Sequence, residues 1–310
     1  MSMTTLHIAT RKSPLAMWQA EFVKAQLLAQ HSKLTVELIG ISTQGDVLLD
    51  VPLAKIGGKG LFIKELEEQM LAGNAQLAVH SMKDLPAFLP EGFAIGAVLA
   101  RHNPLDAFVS NTYDSLDALP QGAIVGTSSL RRKSQLLAIR PDLQLHDLRG
   151  NIHTRMRKLD EGQFDAIILA AAGLERMNMP ERIASLIAAE ISLPAVAQGA
   201  LAIEVLTGDA KTQNYVDFFN DADTLACITA ERAMNAALEG GCQVPIGSFA
   251  VLENGQLWLR GLVASLDGTN IIKGERRGSV SDAVAMGNEL AHELLSRGAK
   301  QILDAVYGRI

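Results

Sequence analysis

Two residues of the 310-residue chain have surroundings that suit a reactive group, the thiol of Cys242 and the carboxylate of Asp84. Cys242 lies in Glu239-Gly-Gly-Cys-Gln-Val-Pro-Ile-Gly247, behind two glycines and three residues before Pro245. The glycines reach backbone angles closed to other residues and put no bulk beside the sulfur. Pro245 fixes its own φ and pins the far side of the loop. Cys227, in Leu225-Ala-Cys-Ile228, has instead the apolar neighbours of a packing cysteine. The local sequence leaves Cys242 open between a thiol that carries chemistry and a buried structural one. Asp84 follows the apolar run Gln76-Leu-Ala-Val-His-Ser81, which reads as a buried strand. Ligands of open α/β sheets bind beyond the carboxyl ends of strands. There a carboxylate beside Lys83 is able to exchange protons or stabilise a cation. A turn-forming aspartate ahead of Pro86 is the other local reading.

Cations recur at the same kind of corner. Leu6–Thr10 reads as a strand, with Arg11 in the turn, Ser13 as N-cap and Pro14 opening a helix to Leu28, so Arg11 and free backbone N–H groups meet at one anion-binding corner. A solvated turn arginine is the plain alternative there. Ala123–Gly126 repeats the pattern, running into Thr127-Ser-Ser-Leu-Arg131-Arg132-Lys133 and a helix through Ile139. Leu145–Leu148 leads to Arg149 and Arg155, and a buried strand over Asp165–Ala172 is followed by Arg176. Six arginines after strands, or in the first turns of the helices that follow, offer planar forks matched to carboxylates. The two corners are expected to face each other across a cleft that takes a small polyanion bearing several carboxylates or phosphates. Lys55-Ile-Gly-Gly-Lys-Gly-Leu61 adds a glycine-rich loop with two lysines. It lacks the spacing and ending of a nucleotide phosphate loop and reads either as a cover for a bound anion or as a plain surface loop.

Positioning these groups takes more than one domain, as the length implies. Trp18, Phe22 and Val23 are expected on one face of the first helix. Val36–Ile41 is a second strand, His102–Asp106 marks a crossing between domains, and Glu190–Glu204 returns the chain to the first lobe. A helix over Asp223–Leu238 precedes the Cys242 loop. Then come strands Ser248–Leu252, Gln256–Ala264 and Ile271–Arg277, parted by the hairpin dipeptides Asn254-Gly255 and Asp267-Gly268, and a long helix from Ser281 to Leu295. With 48% hydrophobic and 20% charged residues the chain is globular rather than disordered. A net charge of −6 argues against nucleic-acid binding through overall charge. Two cysteines form no disulfide framework, no apolar run is long enough to span a bilayer, and no secretory signal opens the sequence; a cytoplasmic protein is expected.

His80-Ser-Met-Lys-Asp84, Gly126-Thr-Ser-Ser-Leu-Arg-Arg132, Leu148-Arg-Gly-Asn151 and the Cys242 loop, in this order, closely resemble the porphobilinogen deaminase (hydroxymethylbilane synthase) family. The likeness runs from about Ile8 to Tyr307. It implies an α/β fold with two periplasmic-binding-protein-like lobes, residues 1–100 with 195–220 and residues 101–194. It adds a smaller α+β C-terminal domain, 221–310, with an antiparallel three-stranded sheet. It further implies a transferase of tetrapyrrole (haem) biosynthesis. Such an enzyme joins four porphobilinogen molecules head to tail on a dipyrromethane held by Cys242 through a thioether, and releases hydroxymethylbilane. By position, Asp84 is carried over as catalytic. Lys83, Ser81, Asp46, Thr127, Ser129, Arg131 and Arg132 are carried over as cofactor binders, and Arg11, Ser13, Gln19, Arg149, Arg155 and Arg176 as substrate binders. Lys55 and Lys59 fall in the loop over the cleft. The family implies a monomer with porphobilinogen as small-molecule substrate and neither nucleic acid nor membrane as partner.

The chain departs from the family's usual pattern at Gln44, where arginine is frequent, at Ala197 and Ala202, where glycine is common, and at His153, where small residues are frequent. The alanines are expected to stiffen the returning segment. A solute-binding protein without catalysis leaves Cys242 unexplained. A cysteine hydrolase lacks a histidine at recognisable spacing from it. No metal is expected, since neither cysteine belongs to a ligand pattern.

Overall fold

The computed structural model describes residues 4–47, 63–241 and 244–308; Lys55, Lys59 and Cys242 lie outside them, and Asp46 is described through its backbone alone, in a helical turn at Gln44–Val47. The chain forms two compact units, Met1–His102 with Ala200–Thr224 and Asn103–Gly199 with Leu225–Ile310.

The first unit is built on strands β1 (Thr4–Arg11), β2 (Leu34–Ile41), β3 (Leu77–Ser81), β4 (Phe93–Val98) and, from much later in the chain, β10 (Leu201–Leu206). Their order is β2-β1-β3-β10-β4. β1 runs parallel to β2 and β3, whereas β10 is antiparallel to both its neighbours. Helix α1 (Pro14–Gln30) covers one face and packs Val23 and Leu27 on Ile8, Val36, Leu77 and Ile203. Helix α2 (Lys64–Leu71) covers the other with Leu66 and Met70 on Ala9, Ala78 and Phe93. The start of α1 is as expected: Pro14 opens it and Ala16 N donates to Ser13 Oγ at 3.4 Å. Its buried face differs from the expected one. Ala16, Gln19, Ala20, Val23 and Leu27 face the sheet, while Trp18 and Phe22 stack on each other at 5.4 Å, with Phe22 exposed. Small residues at positions 16 and 20 leave room beside the sheet, and Val23 lies five residues from Trp18, more than a third of a turn away.

The second unit repeats the topology. Strands β5 (Asp106–Val109), β6 (Ile124–Gly126), β7 (Gln144–His146), β8 (Ala166–Ala170) and β9 (Ser185–Ile187) take the order β7-β6-β8-β5-β9. β6 is parallel to β7 and β8, and β5 is antiparallel to β8 and β9. Helices α3 (Leu130–Ile139) and α4 (Ile152–Asp160) start on the side-chain caps Ser129 and Asn151. Strand β8 ends at Ala170, two residues short of the expectation, because helix α5 (Ala171–Arg176) begins there.

Helix α6 (Ala210–Val216) belongs to the first unit and leads to α7 (Ala222–Ala237). Strands β11 (Ile246–Glu253), β12 (Gln256–Ala264) and β13 (Ile271–Ser279) form the expected antiparallel three-stranded sheet. Helices α8 (Ala283–Leu294) and α9 (Lys300–Val306) follow. Met234, Leu257, Leu259, Val263, Leu290 and Leu294 fill the core of this part, and Cys227 is buried in it as a packing residue. Asn254 and Gly255 both have positive φ, 51° and 77°, as a tight two-residue hairpin requires. The fold class is therefore the expected one, two α/β lobes with an α+β C-terminal part.

Candidate active site

Parallel pairing of β1 with β3 sets Arg11 and Ser81, the last residues of these strands, on one edge of the first sheet. Ser13 stands beside them at the start of α1. A short 3-10 turn, Met82–Asp84, carries Asp84 back over the same edge; Met82 N donates to Ala200 O at 3.0 Å and fixes where the turn begins. Arg11, Ser13, Gln19, His80, Ser81 and Asp84 thus line one open hollow. Gln19, 2% exposed, donates from Nε2 to Ser81 Oγ at 2.8 Å and orients that hydroxyl. A guanidinium, two hydroxyls and an amide around one half-buried carboxylate make a surface that binds carboxylates and accepts N–H groups.

The candidates of the second unit lie on the edge where β6 and β7 end. Thr127 is buried, donates from N to His146 O at 2.9 Å, and accepts Ser129 N at 3.3 Å. Ser129 in turn accepts Arg132 N. Arg131 and Arg132 are almost wholly buried and converge on Asp106. Arg131 donates to its two oxygens at 2.8 and 3.1 Å, and Arg132 donates at 2.8 and 3.0 Å. Ser192 and Gln198 add donors to the same carboxylate, each at 2.9 Å. Burial by itself pushes the Asp106 carboxyl up, but the two guanidinium groups outweigh it and hold the group well below the usual carboxylate range. Arg155 donates from Nε to Gly150 O at 2.8 Å, and Arg149 is half-buried beside that loop. Arg176 closes α5 rather than opening it, as a consequence of the early end of β8. It donates to Gly199 O at 2.7 Å, and burial lowers its pKa to about 10, so it stays charged at neutral pH.

Sequence reasoning missed the carboxylates that organise these cations and loops. Asp106 closes the stretch His102–Asp106 that reads as turn chemistry, and it is the first residue of β5. Glu231 of α7, fully buried, accepts Ala197 N at 2.6 Å and Ala250 N at 2.8 Å, which ties the returning segment to β11. Ala197 itself has φ of 57°, a left-handed backbone that suits glycine better. Ala202 is buried opposite His80 in the β10–β3 pairing, His153 is exposed on α4, and Gln44 N donates to Glu65 Oε1. Among the described residues no cluster of His, Cys, Asp or Glu could hold a metal ion, and no helix is long and apolar enough to cross a membrane.

Two family models match the sequence in tandem. The one described as porphobilinogen deaminase, dipyromethane cofactor binding domain, matches residues 6–214, and the one described as porphobilinogen deaminase, C-terminal domain, matches residues 225–296. The chain belongs to the porphobilinogen deaminase family. Its activity is the polymerisation of porphobilinogen to hydroxymethylbilane, and the residues up to 214 constitute its dipyrromethane-binding part. Similar solved structures include the periplasmic VFT2 domain of BvgS from Bordetella pertussis, at 17% identity and a TM-score of 0.39 over 72% of this chain and 90% of that one. They also include a periplasmic substrate-binding protein of an ABC transporter from Coxiella burnetii, at 12% identity and a TM-score of 0.44 over 71% and 94%. The methionine-binding protein MetQ is similar at 12% identity and a TM-score of 0.45 over 69% and 88%. The lobe topology of this chain rests on the strand pairings given above.

Proposed function

We propose that Asp84 is the catalytic carboxylate of this deaminase and that Cys242 holds the dipyrromethane through a thioether. The observation that carries this reading is the shared hollow of Arg11, Ser13, Gln19, Ser81 and Asp84 at one strand edge. Each pyrrole of such a group bears an acetate and a propionate and one N–H. The donor set fits such rings: Ser81 meets the cofactor's carboxylates, Arg11, Ser13 and Gln19 meet the substrate's, and Asp84 accepts the N–H. When bound, the dipyrromethane supplies the terminal pyrrole carbon to which the first substrate unit is joined. Asp84 stabilises the cationic methylene-pyrrole that porphobilinogen becomes as ammonia leaves, so its charge acts in the transition state. Lys83, Thr127, Ser129, Arg131 and Arg132, with Asp46, serve the cofactor's side chains, and Arg149, Arg155 and Arg176 serve the substrate's. Lys55 and Lys59 belong to the loop that in the family lies over the cleft. Domain limits at 1–100 with 195–220, 101–194 and 221–310, a cytoplasmic location and a monomeric state complete the proposal.

Intact-mass measurement tests it. The wild type should carry an excess equal to two linked pyrrole units, Cys242→Ser should carry none, and Asp84→Ala should keep the excess while losing turnover. A bare thiol in active enzyme, or robust turnover by Asp84→Ala, defeats the assignment.

A further inference from the structure

Under the edge that carries Ser81 and Asp84 lies a line of three buried ionisable side chains, of which only His80 reaches the hollow itself. His80 is 5% exposed, Glu204 is fully buried and Glu67 is 7% exposed. His80 Nε2 and Glu204 Oε2 are 2.9 Å apart across the β3–β10 pairing. Glu67 reaches the same place from α2, close enough to Glu204 for the two carboxyl groups to hydrogen bond. Among the described residues, Glu67 Oε1 and Glu204 Oε1 have no hydrogen-bond partner, although both atoms are buried. Two ionised carboxylates in contact out of water repel strongly and offer each other no donor. The arrangement is satisfied when one of them carries a proton.

Residue for residue, the line is directional. Glu204 already accepts from His80, so its charge is used there, and the proton belongs on Glu67. The elements packed on α2 at this face are β1, β3 and β10. The ionisable groups they bring are His80 and Glu204, Arg11 at the end of β1, which lines the same hollow as His80, and His7 of β1, which is partly exposed and lies 3.5 Å from Glu37 of β2. Lys64, Glu65 and Glu68 of α2 itself are on its more exposed sides. His80 is followed at once by Ser81, the acceptor of Gln19, and by the turn that carries Asp84.

We propose that Glu67, Glu204 and His80 are positioning residues for the Ser81–Asp84 edge, with Glu67 donating a held proton to Glu204 and Glu204 orienting His80. This extends the assignment of Asp84 given above and rests on it for its kinetic consequence. Burial, then the charge of Glu204 and the hydrogen bond to it, raise the Glu67 carboxyl from 4.5 to about 7. A raised acid favours the folded state most when protonated. The stabilisation is complete below about 4.5 and is lost as pH rises through about 7.

Three measurements on purified holoenzyme test the proposal. Glu67→Gln keeps a donor toward Glu204 and removes the titration. Its melting temperature should exceed that of the wild type by several degrees at pH 8.5 and match it at pH 4; parallel curves overturn the held proton. Glu67→Ala removes the donor and should lower kcat about fivefold with KM within twofold, and Glu67→Gln should restore kcat. Equal kcat losses in both, or a loss confined to KM, overturn the positioning role. Glu204→Gln should lower kcat about tenfold, change the shape of its pH profile and keep the two-pyrrole mass; an unchanged profile overturns the part given to Glu204. Asp84→Ala serves as the discriminating control: if it stays active, the kinetic reading falls, while the melting curves still decide where the proton lies.

Discussion

Asp106 accepts from four buried side chains, and two of them are cations adjacent in sequence. Removing its charge strands two guanidinium groups out of water, a change that costs about 3–5 kcal/mol for buried pairs in general. Asp106→Asn should therefore lower unfolding free energy by roughly that amount in a denaturant titration at neutral pH. The sign with pH follows from the depressed carboxyl. Its contribution is complete above the ordinary aspartate value of about 4 and fades only as pH falls toward the far lower folded value. The difference between variant and wild type should thus persist at pH 5 and shrink only in strong acid. None of this partnership was legible beforehand. Ser13 and Ser129 were readable as caps because a cap acts within three residues. The partner of Arg131 stands 25 residues away and meets it only through the β5–β8–β6 arrangement. Cys227 was readable as a packing thiol because its neighbours on the helix are themselves apolar.

At the level of elements, the strands and hairpins of the C-terminal part were legible almost to the residue, since alternating apolar positions and turn dipeptides are both local signals. What the pattern did not reveal is how closely the Ser265–Asn270 turn approaches α3. Gly268 has φ of 72°, and a Cβ there would run into Ser134 O and Ala138 N, which are backbone atoms and do not yield. Gly255 has φ of 77° with nothing near its missing Cβ. The two sites separate conformation from contact. Gly255→Ala should cost about 1 kcal/mol from backbone strain alone. Gly268→Ala should cost clearly more, about 2–3 kcal/mol, since overpacking adds to that strain. Equal losses in parallel urea titrations would mean that the turn does not press on α3. The aromatic pair of α1 teaches the converse. Trp18 and Phe22 suggested a buried stripe by type, yet alanines at 16 and 20 decided which side of the helix meets the sheet.

Across the whole molecule, the net charge is −6 while Arg11, Arg131 and Arg132 gather where strands end, so overall charge says less about a chain than the local placement of its cations does. The order of strands carries a further consequence, for the time course of synthesis. Among the described residues β4 pairs with β10 alone, and β10 enters the first sheet more than a hundred residues after β4 has left the ribosome. The second sheet, by contrast, draws all five strands from one uninterrupted stretch. A nascent chain can therefore complete its later-encoded sheet first. Until Leu201–Leu206 emerges, the edge of β4 stays open to mispairing and to chaperones.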